Sequence, residues 1–268
     1  MKSLIVSDIH GNWSALEAVL AAEPDADQVL CLGDLVNYGP QPIECVSWAM
    51  SLNLPSRIIQ GNHDRDFACG NEPHCSPASR PVVGAVSEAT RPLLTLEKKQ
   101  FLDDLKPIQE FRWGEALCVA CHLAAKGPLN CPFEHQSTQW PWESDIILVG
   151  LAERPFTLVG HPDFLFVAHT HTPLDTRWGT TQVINPGSVG LPTDGDSRAG
   201  YAIWRDGEVE FRRVAYDVEQ TVRAYEALNL NATIKRQLVE SLRSGTRWAH
   251  IGNSELSRME RRGEPCHA

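Results

Sequence analysis

Four short apolar runs in this chain each stop abruptly at residues able to bind a metal ion or hydrogen-bond a ligand. SLIVS (3–7) ends at Asp8-Ile9-His10, and QVLCL (28–32) ends at Gly33-Asp34. RIIQ (57–60) ends at Gly61-Asn62-His63-Asp64, and FLFVA (164–168) ends at His169-Thr170-His171. Each run has the length of a buried strand. Between the first two, Asn12-Trp13-Ser14 opens a helical pattern with Leu16, Val19 and Leu20 on one face, and a second helix follows Pro42 through Cys45, Val46 and Met50. Strand–helix–strand–helix–strand predicts an α/β fold, and open sheets of that kind gather ligands at the carboxyl ends of their strands.

Further along, 66–80 is rich in Pro, Cys, Gly and Asn and reads as a loop. Helical patterns over 83–91 and 95–104 are broken at Pro92, with Thr95 as the N-cap of the second and no capping box. Segments 108–113 and 116–121 flank Gly114-Glu115 and predict a hairpin that delivers His122 to a strand end. Residues 124–142 read as a long surface loop, the kind that often faces a substrate; its Trp140 and Trp142 either stack on a base or cover the core. Short strands are expected at 182–185, 200–205 and 208–214, with a turn at Asp206-Gly207. A helical tail is expected from Asp217 to about Leu242, and the polar residues from about 252 read as a frayed end.

Each strand-end cluster is weak evidence by itself, because a lone His after a strand is usually a hydrogen-bonded structural residue. Their convergence carries more weight. Carboxylates, an amide and several imidazoles meeting at one sheet edge repel or stay unsatisfied unless something binds them. Mixed oxygen and imidazole donors suit Zn, Mn, Fe or Co.

The motifs SDIHGN, GDLVNYGP, GNHD, an isolated strand-end His, and HTH followed by INPGSVG resemble those of the calcineurin-like metallophosphoesterase family, in order, over about residues 2–205. The match looks closest to its small prokaryotic phosphoesterases. The resemblance implies a four-layer α/β/β/α sandwich spanning 1–215, with 216–268 as a C-terminal helical extension packed on it or trailing from it. It implies two divalent or mixed-valence transition-metal ions (Mn, Fe, Zn, Co or Ni). Asp8, His10 and His171 would hold one ion, Asn62, His122 and His169 the other, and Asp34 would bridge them. A metal-bridging hydroxide would attack phosphorus in line, with His63 facing the leaving group and Asp64 either supporting the ligands from behind, or facing the substrate, as Asn37 and Tyr38 would, or purely structural. The implied activity is hydrolysis of phosphomonoesters or phosphodiesters. The alternatives are a dinucleoside polyphosphate or other nucleotide anhydride as substrate, or a noncatalytic binding protein on the same scaffold.

In the family's phosphoprotein and dinucleoside-tetraphosphate branches the second motif reads GDxVDRG, and this chain departs from it at Asn37 and Tyr38. Asn37 replaces the carboxylate that would orient His63 and cannot raise its pKa as a carboxylate does. Tyr38 replaces an Arg and cannot grip phosphate bidentately. Both argue against phosphoprotein substrates. His122 is followed by Leu123-Ala124 where close relatives commonly have Gly-Ser. The Asn185-Pro186-Gly187-Ser188 turn reads mainly as structural, with a substrate-side wall as the alternative.

Composition sets the remaining bounds. A net charge of −10 disfavours nucleic-acid polymers and anionic membranes, so the expected partner is a small phosphorylated substrate. No apolar run is long enough for a bilayer and the N-terminus reads as a strand, which makes the cytoplasm the expected location. Cys31, Cys45 and Cys118 read as reduced core residues. Cys69, Cys75 and Cys131, with His74 and His135, match no strong zinc spacing. Cys118-Val119-Ala120-Cys121-His122 has the CxxCH form of a haem attachment site, but it lies in a buried strand whose two cysteines would point to opposite faces.

Overall fold

A computed structural model describes residues 1–73, 75–126, 147–151, 154–157 and 162–247. Its first five-stranded sheet is built on three parallel strands, β1 (Lys2–Val6), β2 (Gln28–Cys31) and β3 (Ser56–Ile58). They are joined through α1 (Trp13–Ala22) and α2 (Pro42–Met50). Asn12 caps α1 by accepting from the Ala15 N–H, and Pro42 occupies the first turn of α2, where its missing donor costs nothing. Beyond β3, α3 (Asn62–Cys69), α4 (Arg80–Thr90) and α5 (Leu96–Asp104) follow, with Thr95 capping α5 through the Lys98 N–H as its sequence predicts.

The hairpin of β4 (Ile108–Trp113) and β5 (Ala116–Cys121) leads into β6 (Leu123–Lys126), β7 (Ile147–Leu151) and β8 (Arg154–Thr157), which form a small antiparallel sheet. The strands β9 (Phe164–Phe166), β10 (Leu174–Trp178) and β11 (Thr181–Asn185) complete the second five-stranded sheet, in the order β10-β11-β9-β5-β4. Finally β12 (Ala199–Arg205) and β13 (Glu208–Val214) return to the first sheet, in the order β13-β12-β1-β2-β3.

The two sheets pack face to face. Ile5, Leu30, Leu32, Ile59 and Trp204 of the first meet Phe111, Trp113, Cys118, Phe166 and Ile184 of the second in one buried cluster. On the other face of the first sheet, Leu4, Val6 and Cys31 pack against Leu16 and Val19 of α1, Cys45 and Val46 of α2, and Leu102 of α5. This is the helix-on-sheet-on-sheet core of the expected sandwich. The outer face of the second sheet has a smaller cluster around Val119, Cys121, Leu165 and Val183, to which only strands and their ends contribute among the described residues. Cys118 and Cys121 thus face opposite sides of β5, as their spacing predicts, and Cys31, Cys45 and Cys118 are buried.

Three expectations need correction, and one strand, β10, carries no sequence signal. Residues 66–69 belong to α3, not to a loop: Asp64 reaches back to the Gly61 N–H at the helix start, and Gly70 ends the helix in the left-handed conformation. Residues 124–126 pair as β6, not as loop, although 127–142 with Trp140 and Trp142 lie outside the described residues. The strand β10, mostly exposed at a sheet edge, lacks the apolar run that marks the other strands. The C-terminal segment is two helices, α6 (Val218–Glu226) and α7 (Ala232–Ser244), because Asn231 starts a new helix by capping the Ile234 N–H. Both pack against α4 and the loops near the sheet ends: Tyr225, Leu228, Leu230, Ile234, Leu238 and Leu242 share a cluster with Val82, Val83, Val86, Tyr38 and Leu191. His74, Cys131, His135 and the tail from 252 also lie outside the described residues.

Candidate metal centre

Seven of the strand-end side chains singled out in the sequence converge on one largely buried spot between the carboxyl ends of the two sheets' parallel strands. Asp8 and His10 follow β1, Asp34 follows β2, Asn62 starts α3 just after β3, His122 follows β5, and His169 and His171 follow β9. The His122 Nε2 lies 3.1 Å from the Asp34 Oδ2 and 3.9 Å from the Asp8 Oδ1. The His171 Nε2 is 3.4 Å from the Asp8 Oδ1 and 3.1 Å from the His10 Nε2. The His10 Nε2 is also 3.7 Å from the Asp34 Oδ2, and the His169 Nδ1 is 3.0 Å from the Asn62 Oδ1.

The backbone is strained to achieve this. Asp8, His10, Asp34, Asn37, Tyr38, His169 and His171 all have φ between 49° and 70°. Such conformations cost a non-glycine residue of order 1 kcal/mol each and concentrate at functional sites. Backbone bonds hold the loops in register: the Asp8 N–H donates to the Gly33 carbonyl (3.0 Å) and the His10 N–H to the Asp34 carbonyl (2.8 Å). Asp64 is the main clamp. Its carboxylate accepts from the Asp34 and Leu35 N–H groups, both at 2.8 Å, and from the Gly61 N–H at 3.1 Å. Gly61 is dictated by the same packing, since a Cβ there would lie 2.1 Å from the Asp34 Oδ1.

The imidazole tautomers show what the site lacks. A carbonyl cannot donate, so the Nδ1–H groups of His10, His122 and His171 must donate to the carbonyls of Val36 (3.0 Å), Leu32 (2.7 Å) and Leu191 (2.6 Å). In each neutral ring the Nε2 is then a bare lone pair. The His10 and His171 lone pairs face each other at 3.1 Å, and the His122 lone pair faces the Asp34 carboxylate. The Asp8 Oδ1 and His122 Nε2 are buried without a hydrogen-bond partner. Acceptors aimed at acceptors repel unless a cation or a proton sits between them. Two donors at ~2.1 Å from one ion and roughly a right angle apart would be about 3.0 Å from each other, close to the His10–His171 separation. The residues therefore fit a metal.

The titration pattern agrees. Burial lowers His10 and drives His171 well below the ordinary imidazole value, which keeps both rings neutral, and burial raises Asp8 to about 7. Burial also acts to lower His122, but Asp34, with help from Asp8 and the Leu32 carbonyl, outweighs it and raises His122 to about 10. Burial likewise opposes ionisation of Asp34, yet His122, His63 and His10 hold it well below the carboxylate range. Asp34 thus holds His122 protonated, and a cation bound at its Nε2 would have to displace that proton, so such binding would strengthen as pH rises.

His63 lies beside the cluster and not within it. Its backbone N–H donates to the Asp34 Oδ1 (2.9 Å), its Nδ1 is 3.2 Å from the Asn37 amide nitrogen, and its ring packs edge-on against His10 and Tyr38 at 5.2 and 5.0 Å. Burial pushes its pKa down to about 3, leaving a neutral ring that accepts from Asn37 at Nδ1 and carries its proton on Nε2. Tyr38 is buried, with its ring 4.8 Å from that of His10.

The turn after β11 has a structural part. Asn185 donates to the Ala168 carbonyl (2.9 Å) and the Thr170 Oγ1 (3.0 Å), and the Ser188 hydroxyl donates to the Asp8 carbonyl (2.7 Å). Sequence reasoning missed Ser188 and Asn12 as braces. Asn12, besides capping α1, donates to the Gly190 carbonyl (2.9 Å) and accepts from the Thr221 hydroxyl (2.8 Å). The only available signal was their place in the SDIHGN and INPGSVG motifs.

The family profile described as calcineurin-like phosphoesterase superfamily domain matches residues 1–205. The chain belongs to this superfamily. An uncharacterized protein of Methanocaldococcus jannaschii is 31% identical over 253 residues, covering 86% of this chain and 94% of that one. A metallophosphoesterase from Sphaerobacter thermophilus superposes with a TM-score of 0.65 at 29% identity, over 92% of this chain and 99% of its own. The symmetrical bis(5'-nucleosyl)-tetraphosphatase of Hamiltonella defensa is 34% identical over 168 residues, which span 53% of this phosphoesterase-family chain and 59% of that protein. No helix among the described residues is long and apolar enough to cross a membrane.

Proposed function

We propose that the chain hydrolyses phosphomonoesters or phosphodiesters of small molecules at a pair of transition-metal ions. The observation that carries this reading is the pair of buried lone pairs of His10 and His171 facing each other, with His171 and His122 also aimed at the Asp8 and Asp34 carboxylates. Asp8, His10 and His171 would hold one ion, Asn62, His122 and His169 the other, and Asp34, lying between the two groups, would bridge them. When bound, such a pair polarises phosphoryl oxygens and lowers the pKa of water.

The chain's own residues do the rest. Asp64 fixes the Asp34 loop, and Asn37 holds the His63 ring so that its Nε2–H is free to donate to the leaving-group oxygen and stabilise the charge growing there. Tyr38 walls the site without supplying charge. Sequence similarity to the tetraphosphatase supports a second reading, cleavage of a nucleotide anhydride. The net charge of −10 supports a small substrate over a nucleic-acid polymer.

The test is a substrate panel on protein reconstituted with Mn, Fe, Co or Zn. It should contain p-nitrophenyl phosphate, bis-p-nitrophenyl phosphate, nucleoside monophosphates and diadenosine tetraphosphate. Turnover of the mono- or diesters is expected. Preference for the tetraphosphate would favour the anhydride reading. Turnover of none, with any of these metals, would point to a binding protein and contradict the proposal.

A further inference from the structure

His63 owes its aim to Asn37 and Tyr38, and these two stand in backbone that does not hold itself. Both are left-handed, with φ of 69° and 58°, and neither is glycine. Successive residues of this kind persist only where their surroundings fix them. One hold is local. The Gly39 N–H donates to the Asn37 carbonyl at 2.7 Å, and the turn lies so close to the first loop that a Cβ on Gly39 would be 2.1 Å from the His10 carbonyl oxygen. The other hold comes from the C-terminal segment. The hydroxyl of Tyr225, in α6, donates to the Tyr38 carbonyl at 2.7 Å, and this bond is buried.

The seat of that hydroxyl is firm. Tyr225 is 2% exposed and lies in the apolar cluster that joins α4, α6 and α7, with Val82, Val83 and Leu238 among its members. One helical turn earlier, the Thr221 hydroxyl donates to the Asn12 Oδ1 at 2.8 Å. Thr221 and Tyr225 therefore stand on one face of α6 and tie it to two different loops. Thr221 reaches the loop after β1 and Tyr225 reaches the loop after β2. Of the two, the loop after β2 carries the groups that hold the His63 ring. The Asn37 amide nitrogen is 3.2 Å from the His63 Nδ1, and the Tyr38 ring packs edge-on against it at 5.0 Å.

We infer that Tyr225 is a positioning residue: by holding the Tyr38 carbonyl, its hydroxyl locks the Asn37–Tyr38 turn in its left-handed form and so keeps the His63 ring aimed at the leaving-group oxygen. The inference rests on the phosphoesterase reading above and gives the C-terminal helices a part in the reaction. Tyr225 acts through Asn37 and Tyr38 and not by contact with the substrate.

The experiment uses manganese-loaded full-length protein and a series of phosphate monoesters of rising leaving-group pKa, from p-nitrophenyl to alkyl phosphates. Tyr225→Phe removes the hydroxyl and keeps the ring that fills the cluster. Its kcat should fall roughly tenfold on the poorest leaving groups and less on p-nitrophenyl phosphate, with KM and manganese content unchanged. In a His63→Ala background the same substitution should have little further effect, because the ring it aims is gone. Thr221→Val removes the neighbouring tie of α6, to Asn12, and should leave the dependence on leaving group as in the wild type, which separates a specific hold on the turn from a general loosening of the helix. Several results would overturn the inference while leaving the phosphoesterase reading intact: no loss in Tyr225→Phe, an equal loss on every leaving group, the same loss in both backgrounds, or a loss of manganese. A wild-type protein that hydrolyses no ester with manganese or any other of the metals would overturn both.

Discussion

Asp34→Asn is expected to cut phosphoesterase turnover by at least about 100-fold and to lower metal content, while the protein stays folded. One carboxylate oxygen of Asp34 faces the Nε2 atoms of His122 and His10 at 3.1 and 3.7 Å, and the other accepts the His63 N–H at 2.9 Å. An amide has one acceptor oxygen. If that oxygen keeps the His63 N–H, the NH2 group points into the cluster, where a donor is useless to a cation. If the amide is reversed, two N–H donors face each other and the α3 N-terminus loses its partner. In both orientations the negative charge that holds the imidazoles is gone. The check is kcat/KM and elemental analysis on the same preparation, with circular dichroism for folding. Near-normal turnover would show that Asp34 does not bridge the ions.

His63→Ala is expected to keep both ions and yet slow the reaction by roughly 100-fold, the scale of losing one donor at a developing negative charge. The ring is locked by Asn37 and by edge contacts with His10 and Tyr38, so it is pre-aimed, and its neutral state makes it a hydrogen-bond donor more than a strong acid. The loss should therefore be largest for alkyl phosphates, whose leaving oxygen needs the most help, and smallest for p-nitrophenyl esters. The informative quantity is the ratio of variant to wild-type rate across leaving groups of rising pKa, with metal content measured alongside. A flat ratio, or a lost ion, would show that His63 does not face the leaving group.

The strand ends were the legible part of this chain. An apolar run that stops at Asp8, Asp34 or His169 says both where a strand ends and what it presents, because a buried parallel strand has no other place for polar residues. The helix α3 was hidden for the opposite reason. NHDRDFAC has little apolar periodicity, and what makes it a helix is the Asp64 carboxylate reaching back to Gly61 while it also holds the Asp34 loop, a long-range contact that no local pattern signals. The edge strand β10 pairs along one side and is mostly exposed, so it needs no apolar run. The break between α6 and α7 turns on the side chain of Asn231, which reads in sequence as one more polar residue on an amphipathic helix.

The central claim is that the facing imidazoles and carboxylates are a two-ion site. The most direct measurement is elemental analysis of chelator-free protein after incubation with Mn, Fe, Co or Zn and removal of free metal. Two equivalents per chain, falling together with activity on dialysis against a chelator and returning on reloading, is the predicted result. A content that stays near zero with all four metals would contradict the account.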